Sequence, residues 1–322
     1  MSMPLPTELL SEELKVFQSR FNEAMQGNGS RLNKILRYIV KRKGKQIRPM
    51  FVLFSAKLCG DINDTSYRAA SLVELLHTAT LVHDDVVDDS LERRGFFSTF
   101  ALWKAKANIL LGDYLLAKGL LLSLENNDYK ILHILSDAVR NMSEGELLQM
   151  QKARTLQLDE KTYYEIIRCK TASLLASACA AGAWSTSQDE EMTEKMRLFG
   201  EKTGMAFQIK DDLFDYTSEN IGKPTGNDIK EKKLTLPLIY TLNNVNKPIR
   251  RKIINTIKNK NRDKQKVKWV IEQVKETGGI DYAIQKMNAF KDEALTILHQ
   301  FPDNAIRKGL EDLVRFVTER KY

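Results

Sequence analysis

The sequence predicts an all-α protein, and three observations carry that prediction. Only seven of the 322 residues are proline, and none lies between Pro49 and Pro224. This interval is rich in Leu, Ala, Glu and Lys, which favour helices, whereas proline breaks them. The alternating β-branched segments that are typical of strands are essentially absent. Because 43% of the residues are hydrophobic, residues 1–322 are expected to form one large domain with a deep core.

The first helix boundaries follow from turn and capping residues. A helix is expected over 6–25, where apolar side chains recur at helical spacing before a pair of glycines. Ser30 is a suitable N-cap for a second helix, which Gly44 ends. A third helix is expected to begin at Pro49 and end at Leu58, and a long helix with an acidic end follows it.

The remaining helices are expected to complete a bundle. They are predicted over 103–125, from there to about residue 153, and over 158–183, before a helix that ends in a second acidic cluster. Small residues dominate 173–183, which permits close helix packing. Residues 238–322 are expected to form about three or four amphipathic helices that wrap the core.

The net charge of +8 is concentrated in one segment. Residues 247–268 carry ten Lys or Arg and one Asp, a local charge of +9, so the remainder is close to neutral. No nucleic-acid-binding motif accompanies this segment, and no nucleic-acid partner is expected. The segment is expected to be either a solvated face or a peripheral contact with anionic lipid.

The cysteines indicate a cytoplasmic protein. Cys59, Cys169 and Cys179 are an odd number at spacings that fit neither a disulfide framework nor a metal knuckle. They are expected to be small buried side chains in a reducing compartment. No signal peptide is expected, and no uninterrupted run of 18 apolar residues occurs. Any membrane association is therefore expected at the inner face.

Residues 71–94 carry the strongest functional signal, because an apolar helix there ends in clustered carboxylates. Asp84, Asp85 and Asp88 form the pattern D-D-x-x-D. Residues four apart in a helix lie about 6 Å apart along its axis, so Asp84 and Asp88 face the same way. Carboxylates this close repel each other unless a cation lies among them. A ligand set made only of oxygen favours Mg²⁺ over Zn²⁺.

The same pattern closes a second apolar stretch. Asp211, Asp212 and Asp215 again read D-D-x-x-D. One such pattern alone is most simply a solvated acidic helix face. Two of them, far apart in sequence, predict a cavity with carboxylates on two facing helices. All six aspartates are therefore predicted metal ligands, and a Mg²⁺ cluster held by them would bind a diphosphate.

Several short polar motifs surround the two acidic ones. Each alone is typical of a solvated helix end or turn, and a single histidine on an apolar face is usually a core residue. Together they supply many cations suited to phosphate oxygens. The motifs are Gly44-Lys45-Gln46-Ile47-Arg48-Pro49, His77, Arg93-Arg94-Gly95, Gly112-Asp113-Tyr114-Leu115, Lys170-Thr171, Gly222-Lys223-Pro224-Thr225-Gly226-Asn227-Asp228 and Lys233-Leu234-Thr235-Leu236-Pro237.

With these motifs the sequence resembles the trans-polyprenyl diphosphate synthases of the isoprenoid-synthase superfamily, from about Gly44 to Pro237 and again at its basic C-terminal end. The resemblance implies a helical bundle around a deep central cavity. It also implies head-to-tail condensation of isopentenyl diphosphate with an allylic diphosphate, farnesyl or geranylgeranyl, using about three Mg²⁺ ions that Mn²⁺ could replace. Two departures occur: Gln46 stands where the family often has Arg, and Phe96-Phe97 replaces the usual Pro-Thr.

The resemblance further implies roles for individual residues. Isopentenyl diphosphate would be bound by Lys45, Arg48, His77 and Arg94. The allylic diphosphate and its developing cation would be bound by Arg93, Lys170, Thr171 and Gln208, with Lys223 and Lys233 reaching phosphate oxygens from outside the acidic motifs. The implied catalytic set is Asp84, Asp85, Asp88, Lys170, Thr171, Gln208, Asp211 and Asp212.

Product length depends on the residues before the first acidic motif. Ala79 and Thr80 lie five and four positions before Asp84. In the trans-polyprenyl diphosphate synthases that this sequence resembles, the short-chain members have an aromatic side chain there, which blocks the tail pocket. Neither residue is aromatic here, so a heptaprenyl to nonaprenyl product is expected, with octaprenyl as the central value. Such a tail would serve a respiratory quinone.

The floor of the tail pocket is expected deeper in the bundle. Leu76 and Leu72 lie one and two turns further back on the motif helix, and 120–124 lie on the helix expected to face it. These leucines are the predicted chain-length residues beyond Ala79 and Thr80.

Other functions remain open at this point. A terpene cyclase would replace the second D-D-x-x-D and would not need the cations for isopentenyl diphosphate. A shorter-chain geranylgeranyl or farnesyl diphosphate synthase would keep every motif. A non-catalytic regulatory subunit of a two-component synthase would typically lose aspartates, whereas this chain keeps six. The resemblance also implies a homodimer with a two-fold interface.

Overall fold

The computed structural model describes residues 5–27, 29–41, 44–93, 96–156, 159–217 and 226–319, including every side chain in these ranges except those of Arg31, Arg93 and Thr217. The described chain is overwhelmingly helical, so the all-α class is confirmed. The helices are α1 Ser11–Ala24, α2 Ser30–Lys41, α3 Ile47–Cys59, α4 Asp64–Val87, α5 Thr99–Glu125, α6 Tyr129–Thr155, α7 Glu160–Ile167, α8 Ser173–Ser187, α9 Glu190–Thr217, α10 Asn227–Lys230, α11 Leu236–Asn244, α12 Lys247–Asn259, α13 Lys264–Glu276, α14 Gly279–Leu298 and α15 Ala305–Glu319.

One small sheet interrupts the helices. Strands β1, Glu92–Arg93, and β2, Phe96–Phe97, pair antiparallel directly after the first acidic motif. Tyr38 of α2 donates a hydrogen bond to the carbonyl oxygen of Phe97 at 2.6 Å, which ties the hairpin to the bundle. No strand signal marks this stretch in the sequence, because two residues per strand are too few to leave a periodic pattern.

Helices α3, α8 and α9 form the centre of the bundle. Every residue from Leu174 to Ala183 of α8 is buried, and most of these side chains are small. A Cβ atom added to Gly182 would lie 2.2 Å from the carbonyl oxygen of Val52 in α3. One added to Gly204 of α9 would lie 2.6 Å from the Cα atom of Ala172. The expected close packing at small residues is confirmed.

A π-helical turn at Arg168–Ala172 joins α7 to α8. The sequence predicted an uninterrupted helix over 158–183, so this break was missed. It lies against Gly145 of α6, where an added Cβ atom would come within 2.8 Å of the Cβ atom of Cys169. Such turns are frequent at functional sites, and this one carries the predicted pair Lys170-Thr171.

Helix α4 is fixed at its start and packed along its length. Asn63 and Ser66 form a reciprocal capping box, which satisfies two backbone N–H groups. Helix α5 crosses α4 closely at Gly119, since a Cβ atom there would lie 2.7 Å from Cδ1 of Leu72. Helix α4 therefore runs through the core and delivers its last turn, with the first acidic motif, to the rim of the bundle.

Helix α5 exposes an apolar face. It is long and apolar enough to cross a membrane, and only 33% of its most apolar window is buried. No uninterrupted apolar run marks this helix in the sequence, because Asp113 and Lys118 lie within it. A single helix of this kind is weak evidence for a membrane span. Its exposed apolar side chains are Leu102, Ile109, Leu110, Leu120, Leu121 and Leu124.

The three cysteines form no disulfide. Cys169 and Cys179 are buried and Cys59 is half-buried, as expected for small packed side chains. Burial raises the pKa of the Cys179 thiol to about 12, so this thiol stays protonated and unreactive at neutral pH.

Candidate active site

The first acidic motif lies at the C-terminal end of α4. Asp85 is only 3% exposed, Asp84 is half-buried, and Asp88, the residue that ends the helix, is exposed. Backbone carbonyls in the last turn of a helix point outward and give that end a partial negative charge. Three carboxylates there are repelled by the helix as well as by each other. The position therefore favours a bound cation more strongly than the sequence pattern alone suggested.

The second acidic motif lies inside a network of hydrogen bonds. Asp212 is buried; its Oδ2 atom accepts a hydrogen bond from the hydroxyl of Tyr163 at 2.7 Å and its Oδ1 atom accepts one from Nε2 of Gln208 at 2.8 Å. The hydroxyl of Thr171 donates to Oε1 of Gln208 at 2.7 Å. The structure thus joins three predicted site residues, Thr171, Gln208 and Asp212, in one chain.

Burial controls the protonation of this cluster. Burial raises the pKa of Asp212, although hydrogen bonds from Tyr163 and Gln208 oppose the shift. Burial and the neighbouring charges of Asp212 and Asp215 raise the pKa of Asp228. Carboxylates held this close to protonation gain most from a cation, which would stabilise the ionised forms. The acidity of the cluster thus fits a hard divalent ion.

Asp215, the third aspartate of the second motif, caps a short helix. Its two carboxylate oxygens accept hydrogen bonds from the backbone N–H groups of Asn227 at 2.8 Å and Asp228 at 3.1 Å. This contact orders the start of α10. The role of Asp215 as a metal ligand stays a prediction.

Within the described ranges, no group of three or more His, Cys, Asp or Glu side chains converges closely enough to hold a metal ion. The six aspartates nevertheless supply oxygen donors on two helix ends. Mg²⁺ commonly binds one or two carboxylates and completes its octahedron with water and substrate phosphates. The donor set fits an ion of that kind rather than a pre-formed protein cage.

Lys233 is influenced by carboxylates near both acidic motifs. Its ammonium group is 2.5 Å from Oε2 of Glu231. Burial lowers the pKa of Lys233, but the hydrogen bond to Glu231 and the charges of Asp228 and Asp88 outweigh that effect and raise it overall. Because Asp88 belongs to the first motif and Asp228 lies beside the second, Lys233 is within electrostatic range of carboxylates near both motifs.

A cavity of about 140 Å³ opens beside the second motif. The predicted residues Lys170, Thr171, Gln208, Asp212 and Lys233 all line it. Lys170 forms an ion pair with Glu146 of α6. The remaining lining residues are Gln149, Lys152, Ala153, Tyr163, Ile166, Ile167, Asp228, Lys232, Leu234 and Thr235.

Two predicted ligands of isopentenyl diphosphate meet at the start of α3. Nη1 of Arg48 lies 2.9 Å from Nε2 of His77. Since guanidinium can only donate, the imidazole accepts at Nε2 and carries its proton on Nδ1. Arg48 also lines a small cavity of about 40 Å³ together with Thr171. The Arg48–His77 pair is therefore a neighbour of the cavity that Thr171 lines beside the second motif.

Lys45, another predicted ligand of isopentenyl diphosphate, contacts the C-terminal helix. The ammonium group of Lys45 lies 4.9 Å from the centre of the Phe316 ring in α15. The next residue, Gln46, adopts the left-handed conformation with a φ of 53° and caps α3. The structure thus brings together Arg48 and His77, whereas Lys45 stacks on the C-terminal helix.

The predicted chain-length residues line different parts of α4. Ala79 is fully buried, and the half-buried Thr80 donates a hydrogen bond to the carbonyl oxygen of His77 at 2.9 Å. Leu76 and Leu72 pack toward Gly119 of α5. In the stretch 120–124 of the facing helix α5, three leucines are exposed in the single chain, namely Leu120, Leu121 and Leu124. Their place at the floor of the tail pocket stays a prediction.

Three predicted cations cannot be located. Arg94 and Lys223 lie outside the described residues, and so does the side chain of Arg93. Their assignment to the diphosphates stays a prediction.

Comparisons with known proteins identify the family. The family model described as "Polyprenyl synthetase" matches residues 30–274. The chain belongs to this family. Heptaprenyl diphosphate synthase component 2 of Bacillus subtilis is 31% identical, with 100% of this chain and 92% of that protein covered. Octaprenyl diphosphate synthase of Escherichia coli is 30% identical, with 99% of each chain covered.

The fold of the polyprenyl synthetase agrees with that of solved relatives. A polyprenyl synthase of Caulobacter crescentus, complexed with calcium and isoprenyl diphosphate, superposes with a TM-score of 0.92 at 32% identity, covering 100% of this chain and 99% of that one. The protein is therefore a prenyltransferase enzyme of the isoprenoid-synthase type. Names of other similar proteins range from geranylgeranyl to decaprenyl diphosphate synthase.

Several residues of this synthetase's cavity were not predicted from the sequence. Tyr163 looked like an ordinary core residue of an amphipathic helix. Asp228 stood within a quoted motif, but no role was given to it. Lys152 and Lys232 lie outside the family motifs, and only the adjacency of Lys232 to Lys233 could have drawn notice to it.

Proposed function

We propose that the protein condenses isopentenyl diphosphate with a farnesyl or geranylgeranyl primer to make a long all-trans polyprenyl diphosphate, and that it depends on Mg²⁺. The carrying observation is the chain Thr171–Gln208–Asp212–Tyr163 beside a lysine-lined cavity. It combines carboxylates for a cation, ammonium groups for phosphate oxygens and polar atoms for a developing positive charge. The family assignment supports this reaction class.

The residues divide the reaction between two neighbouring sites. Lys170, Lys233 and the second acidic motif bind the allylic diphosphate, whose C–O bond breaks. When bound, Mg²⁺ held by the aspartates would stabilise the charge that develops on the leaving diphosphate. Arg48 and His77 hold isopentenyl diphosphate so that its double bond attacks the allylic carbon.

Water must be kept away from the allylic cation. Apolar side chains of Ile166, Ile167 and Leu234 form one wall of the cavity and exclude water there. The Thr171 hydroxyl and the Gln208 amide are held in place by hydrogen bonds to Gln208 and Asp212, respectively. Their oriented dipoles stabilise the allylic cation, and the bonded hydroxyl of Thr171 does not attack it as a nucleophile. The attack leaves a carbocation on the former isopentenyl unit. This carbocation loses a proton to the released diphosphate, which restores a neutral alkene.

Small residues before the first motif favour a long product. Ala79 is fully buried in α4, so replacing it with an aromatic residue would fill the predicted path of the tail. We propose a heptaprenyl to nonaprenyl product, with octaprenyl as the central value, for a quinone side chain. The synthases of shorter products among the similar proteins make a geranylgeranyl product the alternative.

Product analysis tests both reaction and length. The purified chain, Mg²⁺, labelled isopentenyl diphosphate and farnesyl diphosphate should yield a ladder that ends at about seven to nine isoprene units. The variant Ala79→Phe should end the ladder earlier, whereas Ala70→Gly, on the same buried helix, should leave its end unchanged. A wild-type ladder that stops at geranylgeranyl would overturn the assigned length but keep the reaction.

A second candidate is a subunit of a heteromeric synthase. The similarity to a Bacillus subtilis protein named as component 2 favours it. In that case the purified chain alone would not elongate the primer, and addition of a partner component would restore elongation. Retention of both D-D-x-x-D motifs supports the active single-chain alternative.

We also propose a homodimer built on the apolar face of α5 and α6. Leu110 is 69% exposed and Leu147 of α6 is 67% exposed, and a second copy would cover them. Light scattering after gel filtration should give twice the chain mass for wild type. Leu110→Asp should give monomer, whereas Leu9→Asp, outside this face, should stay dimeric.

For location, we propose a cytoplasmic enzyme that touches the inner membrane face through α12 and α13. Their exposed cations include Arg250, Arg251 and Lys258, and an anionic surface would attract them. Sedimentation with phosphatidylglycerol vesicles, but not with phosphatidylcholine vesicles, is expected at low salt. Reversal of these three charges to Glu should abolish it; binding of RNA in place of vesicles would contradict the proposal.

A further inference from the structure

The four lysines of the cavity beside the second motif fall into two pairs. Lys170 is paired with Glu146, and Lys233 is paired with Glu231. These are the two lysines that the family resemblance nominated. Lys152 of α6 and Lys232, in the turn after α10, line the same cavity, and neither has an ion-pair partner among the residues that the structure describes.

Lys232 is also held in an unfavourable backbone conformation. Its φ is 58°, in the left-handed region where glycine is favoured over residues with a side chain. The turn is fixed on both sides, because the backbone N–H of Lys232 donates to the carbonyl of Ile229 at 3.2 Å and that of Lys233 to the carbonyl of Asp228 at 2.8 Å. Lysine therefore occupies a position at which glycine would be less strained.

We infer that Lys152 and Lys232 form a second pair of diphosphate-binding cations at this cavity, acting beside the metal-binding carboxylates. The inference rests on the proposed function and extends it to residues outside the family motifs. Its ligand is a diphosphate group, whether that of the allylic substrate or the diphosphate released from it.

The charges around the cavity explain the need for these lysines. Asp212 and Asp228 line the same space and repel an incoming anion. Lys170 and Lys233 are already neutralised in part by their glutamates. Lys152 approaches from α6 and Lys232 from the turn after α10, so the two reach the cavity from different elements. Each can make charge-assisted hydrogen bonds to phosphate oxygens.

The direct test is binding of inorganic diphosphate in the presence of EDTA, measured by calorimetry. Lys152→Gln and Lys232→Gln should each weaken binding by about tenfold, the usual scale for one charge-assisted hydrogen bond. Lys161→Gln is the matched control, since Lys161 is exposed on neighbouring α7 and does not line the cavity. Equal affinity in all four proteins would overturn the inference.

Steady-state kinetics distinguish the two sources of the ligand. If the lysines bind the substrate, both variants should raise KM for the allylic diphosphate while KM for isopentenyl diphosphate stays constant. If they bind the released group, inhibition by added diphosphate should weaken and both KM values should stay constant. A change confined to KM for isopentenyl diphosphate would overturn the assignment. Failure of wild type to elongate any primer would defeat the proposed function instead.

The backbone strain gives an independent readout. Lys232→Gly should raise the melting temperature in EDTA by removing the left-handed strain, and it should weaken diphosphate binding as Lys232→Gln does. Gln188→Gly, at a left-handed position with a φ of 50° after α8, should stabilise without affecting binding. Stabilisation by Lys232→Gly with unchanged binding would mean that the lysine has no role at the cavity.

Discussion

The two D-D-x-x-D motifs share a sequence pattern but differ in their surroundings. The first occupies the last turn of α4, where Asp88 is exposed and the helix end repels it. The second lies within α9, where Asp212 is buried and hydrogen-bonded by Tyr163 and Gln208. The same D-D-x-x-D spacing thus occurs with an exposed carboxylate that the protein leaves unstabilised and with a buried carboxylate whose orientation hydrogen bonds fix.

This difference separates two ways of building a cation-binding site from carboxylates. At the first motif, electrostatic repulsion makes the metal-free state unfavourable, and bound cations relieve it. At the second motif, donors from α7 and α9 hold the carboxylate of Asp212 before any ion binds, and Thr171 of the π-helical turn holds Gln208. The first motif should therefore respond mainly to charge, and the second should respond to the loss of a single neutral hydrogen bond.

The largest expected effect is on the first motif. Asp88→Ala should lower kcat by about two to three orders of magnitude, since it would remove a proposed ligand of the metal that stabilises the developing charge. The same change should leave the metal-free melting temperature equal or higher, because it removes a negative charge from the C-terminal end of α4. Melting followed by circular dichroism in EDTA checks the second part; a clear loss of stability would contradict the repulsion argument.

The second effect, smaller but more specific, concerns Tyr163. Tyr163→Phe removes the donor to Oδ2 of Asp212 and should lower activity and metal affinity by about tenfold to a hundredfold, the range seen when a residue that orients a metal ligand is changed. The acidic limb of the pH–activity profile should also move to higher pH, because the ionised form of Asp212 loses a hydrogen bond.

The adjacent residue provides the control for that variant. The hydroxyl of Tyr164 donates to Glu160 at 2.9 Å, away from the acidic motifs. Tyr164→Phe should therefore leave the pH profile unchanged while removing an equivalent hydroxyl. Equal behaviour of the two variants would show that Tyr163 contributes only to packing.

The sequence predicted the helical class and much of the site because both are encoded locally. Long proline-free amphipathic stretches specify helices, and each aspartate motif fits within a single turn. Residues Thr171, Gln208 and Asp212 could be named together only through the resemblance to known synthases. Their actual hydrogen bonds depend on how three elements pack, which a linear pattern does not contain.

The unpredicted features arise from tertiary packing. The hydrogen bond from Tyr163 to Asp212 spans 49 positions, and a tyrosine among apolar residues gives no local sign of such a partner. The π-helical turn at Arg168–Ala172 has helix-compatible residues and forms where α6 approaches through Gly145. Likewise, nothing in the sequence indicates that Asp215 caps α10 or that Lys232 is left-handed.

The smallest expected effect is on stability, and it tests the buried side of the comparison. The folded-state pKa of Asp228 is raised by burial and by the charges of Asp212 and Asp215. Below the ordinary carboxyl pKa, both folded and unfolded chains hold this proton, so the group costs nothing. As pH rises, the unfolded chain releases the proton first, and stability is lost until the folded-state pKa is passed.

Asp228→Asn should therefore remove a destabilisation that is present near pH 8 and absent near pH 4. In EDTA, the melting temperature of the variant relative to wild type should rise by about 2 °C or more between these two pH values. For Asp61→Asn, in the exposed turn after α3, the difference in melting temperature from wild type should be the same at both pH values. Saturating Mg²⁺ should reduce the pH-dependent part for wild type, because an ion near the cluster stabilises the ionised carboxylates. If the melting-temperature difference between Asp228→Asn and wild type does not depend on pH, ionisation of Asp228 does not destabilise the folded chain. Asp212 would then be the one carboxylate that supports the contrast between the buried cluster and the exposed first motif.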